Sequence, residues 1–195
     1  EEPMRLLMDQ VVSRFLERCP HVSVDLVVDG TLVDIVEQGF DAGIRLAESV
    51  PKDMIAVPFG ADFRFLAVAA PSYGKAAGRP KTPEDLRSHR CIRQRLPSGK
   101  LYRWEFEKHR QEIAIDVPGV LTLNHTMLTI EAAATGLGIG YVPEHAARPW
   151  LEDGRLVPLL EDWSPPISGL RLYYSGRRHT PAVLRAFIEV VREAS

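Results

Sequence analysis

Cysteine is scarce in this 195-residue chain: Cys19 and Cys91 are the only two. Two distant thiols build neither a disulfide framework nor a cysteine metal cage, so free thiols in a reducing, cytoplasmic compartment are expected. Long apolar runs are missing as well. None approaches the roughly 20 residues of a membrane span, and the amino end reads as an amphipathic helix rather than a signal sequence, so no membrane partner is expected. Neither sign of charge dominates. With 24 Lys and Arg against 26 Asp and Glu, the formal net charge is -2. That gives no overall pull toward nucleic acid or an anionic membrane, and any DNA-binding part should lie elsewhere.

Signatures of catalysis and metal binding are absent too. The histidines at 21, 89, 109, 125, 145 and 179 include no i, i+4 pair and no cysteine at ligand spacing. No G-x-S-x-G elbow occurs. Gly136-Leu137-Gly138-Ile139-Gly140 lacks G-x-G-x-x-G spacing, and Ser98-Gly99-Lys100 lacks the upstream glycine of a phosphate loop. The expectation is no metal, no cofactor and no enzyme. There is no fixed-period repeat and no low-complexity segment.

What is present is a chain 45% hydrophobic and 26% charged, enough for one large domain or two small ones. Apolar residues at Leu7, Met8, Val11, Val12, Phe15 and Leu16 predict a helix over Met4 to Arg18. His21 to Val28 alternates as a strand would, Asp29-Gly30-Thr31 turns, and Leu32 to Gln38 reads as a helix with Thr31 as N-cap and Gly39 as stop. Strands are expected at Ala42 to Leu46, Ile55 to Phe59 and Phe63 to Ala70, in an order that favours a parallel α/β sheet. Gly74, Gly78, Pro80 and Pro83 mark passage into a second lobe, where Thr82-Pro83-Glu84-Asp85 is a capped helix start. There the pattern predicts strands at Cys91 to Gln94, Leu121 to Leu123 and Ile139 to Val142. It also predicts a hairpin of Tyr102 to Phe106 with Glu112 to Val117, and helices at Met127 to Ala134 and Pro143 to Leu151. Leu170 to Tyr174 and the helix Pro181 to Arg192 return to the first lobe. The expected lobes are residues 1–68 with 168–195, and 69–167, joined by two crossings that form a hinge and a closable cleft.

Asn124-His125-Thr126 precedes a helix whose first amides attract an anion or carboxylate; the alternative is that Asn124 or Thr126 only caps it. Arg45 and Arg93 lie near carboxyl ends of strands, suited to a carboxylate, or else to a salt bridge. The glycines after Thr135 allow close backbone approach, either by a ligand or by an adjacent strand.

Many segments occur together in one order: Phe15 to Pro20, Asp34 to Arg45, Ala70-Pro71-Ser72-Tyr73, and Pro83 to Leu86 with His89 to Ile92. They continue through Gly99 to Glu107, Gly136 to Pro143, Gly154 to Leu160, and Gly176 to His179. In this the chain resembles the effector-binding domain of LysR-type transcriptional regulators. The resemblance implies an α/β fold of the periplasmic-binding-protein type 2 kind, with two Rossmann-like lobes joined by two crossover strands. By position it implies an effector pocket at Thr31, Ile44, Arg45, Arg93, Gln94, Ser98, Asn124, His125, Leu137 and Gly138, to which the helix-start reading adds Thr126. It further implies a small-molecule effector, a homodimer or tetramer pairing through Met4 to Arg18 and Pro143 to Leu151, and contact with DNA only through an amino-terminal winged helix-turn-helix. That segment is not among these residues, nor is the family's opening central strand. A solute-binding protein for transport is the second reading, and an enzyme the third.

Overall fold

Apolar spacing produces the first helix, but not as a uniform one. In the computed structural model, which describes residues 2–29, 34–96, 98–176 and 180–194, α1 (Glu2–Leu7) passes through a π turn at Met8–Val12 into α2 (Ser13–Arg18). Leu7, Val11, Val12 and Phe15 form its buried stripe. The strands in chain order are β1 (Gly43–Leu46), β2 (Met54–Phe59), β3 (Phe65–Ala69), β4 (Cys91–Gln94) and β5 (Trp104–Lys108). They continue as β6 (Gln111–Ile115), β7 (Gly119–Leu123), β8 (Gly140–Pro143), β9 (Val157–Leu159) and β10 (Leu170–Ser175). The remaining helices are α3 (Pro71–Ala77), α4 (Thr126–Ala134), α5 (Glu144–Glu152) and α6 (Ala182–Glu193).

The chain divides into two compact units, 1–62 with 168–195, and 63–167. The first boundary falls ahead of the expected end of the lobe at residue 68, because β3 pairs with β8 and β9 and so belongs wholly to the second unit.

In the first unit β10 lies between β1 and β2 and runs antiparallel to both. This corrects the expectation of a parallel sheet: the returning chain inserts a strand of opposite direction between two earlier ones. Leu172 and Tyr174 of β10, Val57 and Phe59 of β2, the stripe of α1 and α2, and Ile188 and Val191 of α6 make one apolar cluster. His21 to Val28, expected as a strand, joins no ladder among the described residues. It keeps the alternation, since Val22, Val24 and Leu26 pack on the cluster while Ser23, Asp25 and Val27 are exposed. A cavity of about 670 Å³ separates it from β1. Burial therefore satisfies the side-chain period without a ladder partner among the described residues. Of the turn and helix expected over Asp29 to Gln38, residues 30–33 lie outside the described residues. The rest is a turn in which the Asp34 carboxylate accepts from the amides of Val36 (2.8 Å) and Glu37 (3.3 Å).

In the second unit β8, β3 and β9 form an antiparallel trio, whereas β4 and β7 are parallel. A parallel bridge of Cys91 with Ile139, with Ile92 N–H donating to Ile139 C=O (2.8 Å), sets β4 beside the start of β8. The lateral order is thus β7, β4, β8, β3, β9. The expected capped start at Thr82 is a capping box formed with Asp85, on a 3₁₀ helix (Pro83–Ser88) rather than an α-helix. β5 and β6 form the expected hairpin, its turn narrowed to His109 and Arg110. Phe65, Tyr102, Trp104 and Phe106 surround the Tyr141 ring, with centroids 5.2 to 6.3 Å away.

Candidate functional site

The carboxyl ends of β4 and β7 stand side by side, Gln94 opposite Leu123, with Arg95 N–H donating to Leu123 C=O (2.7 Å). The chain leaves β7 through Asn124 and His125 and opens α4 at once. A sheet edge of this kind, with a helix amino end beside it, is where open α/β folds take ligands. The helix is capped by His125, whose Nδ1 accepts from Leu128 N–H at 3.5 Å and whose carbonyl accepts from Thr129 N–H and Oγ1–H, each at 3.1 Å. This corrects the alternative that named Asn124 or Thr126 as the cap. Asn124 is exposed, and its amide has no hydrogen-bond partner among the described residues. Ser98 is exposed on a turn closed by Leu96 N–H to Lys100 C=O (2.8 Å), just beyond Arg95.

Other expected residues are elsewhere. The Arg93 side chain runs back along β7 over Gly119 and pairs with Asp116, away from Asn124. The salt-bridge alternative is the one the structure adopts. Leu137 and Gly138 follow the carboxyl end of α4, a helix of nine residues, so about 13 Å of helix separates them from Thr126. Gly138 is buried, and a Cβ there would lie 2.5 Å from Arg90 O. The close approach that this glycine permits is therefore to the backbone of Arg90, just ahead of β4. Sequence patterning marks that a glycine is needed but not what approaches it.

In the first unit Ile44 and Arg45 line the cavity beside β1, and the Arg45 guanidinium sits 5.2 Å from the Tyr173 ring centroid. Thr31 lies outside the described residues. Sequence reasoning missed a half-buried ion cluster in the second unit. Arg64 donates to both oxygens of Glu144 (2.8 and 3.0 Å) and lies 3.7 Å from Glu161, at the rim of a cavity of about 410 Å³. Hydrogen bonds from Arg64 hold the Glu144 carboxyl below its ordinary range. A separation of 80 positions between Arg64 and Glu144 leaves no local signal of the pair.

Among the described residues no group of His, Cys, Asp or Glu could hold a metal ion, and no helix is long and apolar enough to cross a membrane.

Known proteins share this arrangement. The regulatory domain of AphB from Vibrio vulnificus superposes with a TM-score of 0.79 and 25% identity, over 95% of this chain and 92% of that one. Full-length AphB of Vibrio cholerae, described as a virulence activator of the LTTR family, gives 0.80 and 25% over 97% of this chain and 63% of its own. By sequence the chain is 39% identical over 188 residues to the uncharacterized HTH-type transcriptional regulator YcaN of Escherichia coli (strain K12), covering 96% of this chain and 61% of that protein. It is 32% identical over 190 residues to the HTH-type transcriptional regulator PgrR of the same strain, covering 97% and 64%. The chain thus spans about three fifths of the length of these relatives. The profile of the LysR substrate binding domain matches residues 3–195, and with this fold the chain belongs to that family, the effector-binding domain of LysR-type transcriptional regulators.

Proposed function

We propose that the chain senses a small metabolite carrying a carboxylate on behalf of a DNA-binding regulator, and that it pairs with a second copy. The observation that supports the ligand class is the convergence of the β4 and β7 carboxyl ends on the amino end of α4. First-turn amides have no acceptor within their helix, and the helix dipole favours an anion there. Gln94, Asn124, His125 and Thr126, with Ser98 on the adjoining turn, are the proposed contacts. Thr31, Ile44 and Arg45 remain candidates in the first unit. Arg93, already ion-paired, and Leu137 and Gly138, at the far end of α4, are not carried forward as contacts.

An effector switches a regulator only by binding one arrangement more tightly than another. Here the preferred arrangement would alter how a dimer or tetramer, paired through the first helix and α5, bends promoter DNA. The test is thermal unfolding against a panel of small carboxylic acids. A true effector at a hundred times its Kd adds about 2.7 kcal/mol, on the order of 5–10 °C for a chain of this size. Asn124→Ala and Thr126→Ala are expected to reduce that rise. If both respond like the parent, the ligand does not sit at α4. Light scattering on a sizing column should give twice the monomer mass; a monomer throughout would remove the pairing.

A further inference from the structure

Basic residues are gathered into one stretch of this chain. From residue 75 to residue 103 nine are Lys or Arg and two, Glu84 and Asp85, are acidic, a formal charge of +7 in a chain whose total is -2. The near-zero total that gives the whole chain no pull on a polyanion is therefore a sum of unlike parts, and a surface acts through its own charge within a Debye length of about 10 Å. Four of the nine are engaged or lie apart. Arg93 pairs with Asp116, Arg95 and Arg103 donate to the carbonyls of Gly99 (2.9 Å) and Ala114 (2.8 Å), and Lys100 lies on the turn beyond β4's carboxyl end. The other five, Lys75, Arg79, Lys81, Arg87 and Arg90, are exposed, and none forms an ion pair among the described residues.

These five share one end of the second unit's sheet. β3 runs antiparallel to β8 and β4 parallel to it, so the carboxyl end of β3 and the amino end of β4 lie together, opposite to the end where Gln94 meets Leu123. There α3 leaves β3 and the 3₁₀ helix leads into β4. Tyr73 of α3 joins the two, its hydroxyl accepting from Arg90 N–H (2.9 Å) and hydrogen-bonding His89 Nδ1 (3.1 Å). Arg79 folds back on α3, 3.6 Å from where a Cβ on Gly74 would lie. Of the two acids, Asp85 is engaged in the cap, its carboxylate accepting from the amides of Lys81 (2.8 Å) and Thr82 (3.0 Å).

We propose that this end of the unit is a binding surface for the phosphate backbone of duplex DNA. The charge calls for a polyanion, and the make-up of the patch selects the kind. Protein interfaces centre on apolar and aromatic anchors, and among the described residues no large apolar side chain between positions 56 and 119 is exposed. Single strands are held by stacking bases on aromatic rings, whereas the Tyr73 ring of this patch is buried. A duplex backbone requires cations spread over a surface. Lys and Arg on α3, about 10 Å long, and on the adjoining 3₁₀ helix supply them. Such contact carries no sequence preference, and it lies at the opposite end of the sheet from the candidate effector site. The inference rests on charge placement rather than on the effector reading, and its test uses no effector, so either can fail while the other stands.

Fluorescence anisotropy of a labelled duplex of arbitrary sequence, titrated with the chain at about 50 to about 200 mM salt, tests it. The parent is expected to bind with a Kd on the order of 10⁻⁵ M at the lowest salt, with a slope of log K on log salt of about -3 to -4, as for contact with about four phosphates. Lys75→Gln, Arg79→Gln and Arg87→Gln together should flatten that slope by about 2 to 3 and weaken low-salt binding about tenfold or more. Lys52→Gln, Arg185→Gln and Arg192→Gln, at exposed positions of the first unit, change the net charge equally and should leave both values near the parent's. The charge-keeping set Lys75→Arg, Arg79→Lys and Arg87→Lys should match the parent too, which separates loss of charge from loss of fold. Absence of binding by the parent at the lowest salt would overturn the proposal. Equal losses in the two Gln sets would do so as well, since net charge alone would then act. Displacement of the duplex by polyglutamate as readily as by unlabelled duplex of equal charge would also overturn it, assigning the patch to an acidic protein.

Discussion

Burial pushes the Cys91 thiol up to about 12, and its Sγ lies within 3.7 Å of the carbonyls of Leu86 and His89. At pH 8 it is protonated and enclosed, so iodoacetamide should alkylate the half-buried Cys19 in the native protein and reach Cys91 only in denaturant. Equal rates in the mass spectrum would contradict this. The hairpin turn carries a different constraint. His109 and Arg110 adopt φ of 53° and 65°, a left-handed pair that Asn-Gly accommodates with less strain. Replacing the two by Asn and Gly should stabilise the protein by about 1 kcal/mol, roughly 2–4 °C in Tm, measured by circular dichroism. A lower Tm would show that the present side chains hold the turn. Glu144 supplies the pH dependence. Its carboxyl is depressed below 4.5 by hydrogen bonds from Arg64, so the stability it contributes is complete above that value and is lost as pH falls through the depressed one. Glu144→Gln should therefore cost about 1 kcal/mol or less at pH 7 and converge with the parent in acid. A difference that persists unchanged as the pH is lowered would indicate a packing effect instead.

For the elements, period and partner separate most clearly at His21 to Val28. Its half-buried Val22, Val24 and Leu26 obey a strand's period, yet Ser23 to Val28 make no backbone hydrogen bond to another described residue. Their amides should exchange with solvent in the early minutes of a hydrogen-exchange experiment. Those of Leu172 and Tyr173, in a strand paired on both edges, should persist for far longer. Protection of the two groups at one rate would imply a ladder partner. Elements whose signals are local were legible: the Thr82 and Asp85 capping box, the hairpin of β5 and β6, and the helix opened after Asn124 all follow from side chains within a few residues of one another. The capping residue of α4 was not, because His125 is an uncommon cap and its flanking Asn and Thr are the preferred types.

At the scale of the whole molecule, Trp104, Trp150 and Trp163 all belong to the second unit, and among the described residues each apolar cluster is made of residues of one unit. Tryptophan fluorescence therefore reports one unit and far-ultraviolet circular dichroism both, so their denaturant transitions should not coincide; superimposed curves would mean that the units unfold as one. The sequence alone determined the order and kind of most elements, the helix start at Asn124 to Thr126, and the family likeness, because period, caps and turns are written in windows of a few residues. Tertiary structure decided the rest. It set β10 antiparallel between β1 and β2, turned Arg93 toward Asp116, placed Leu137 and Gly138 at the far end of α4, and joined Arg64 to Glu144. Each of these depends on which distant residues share a neighbourhood. A local pattern gives a strand its faces but not its partner, and a charged side chain its reach but not its direction.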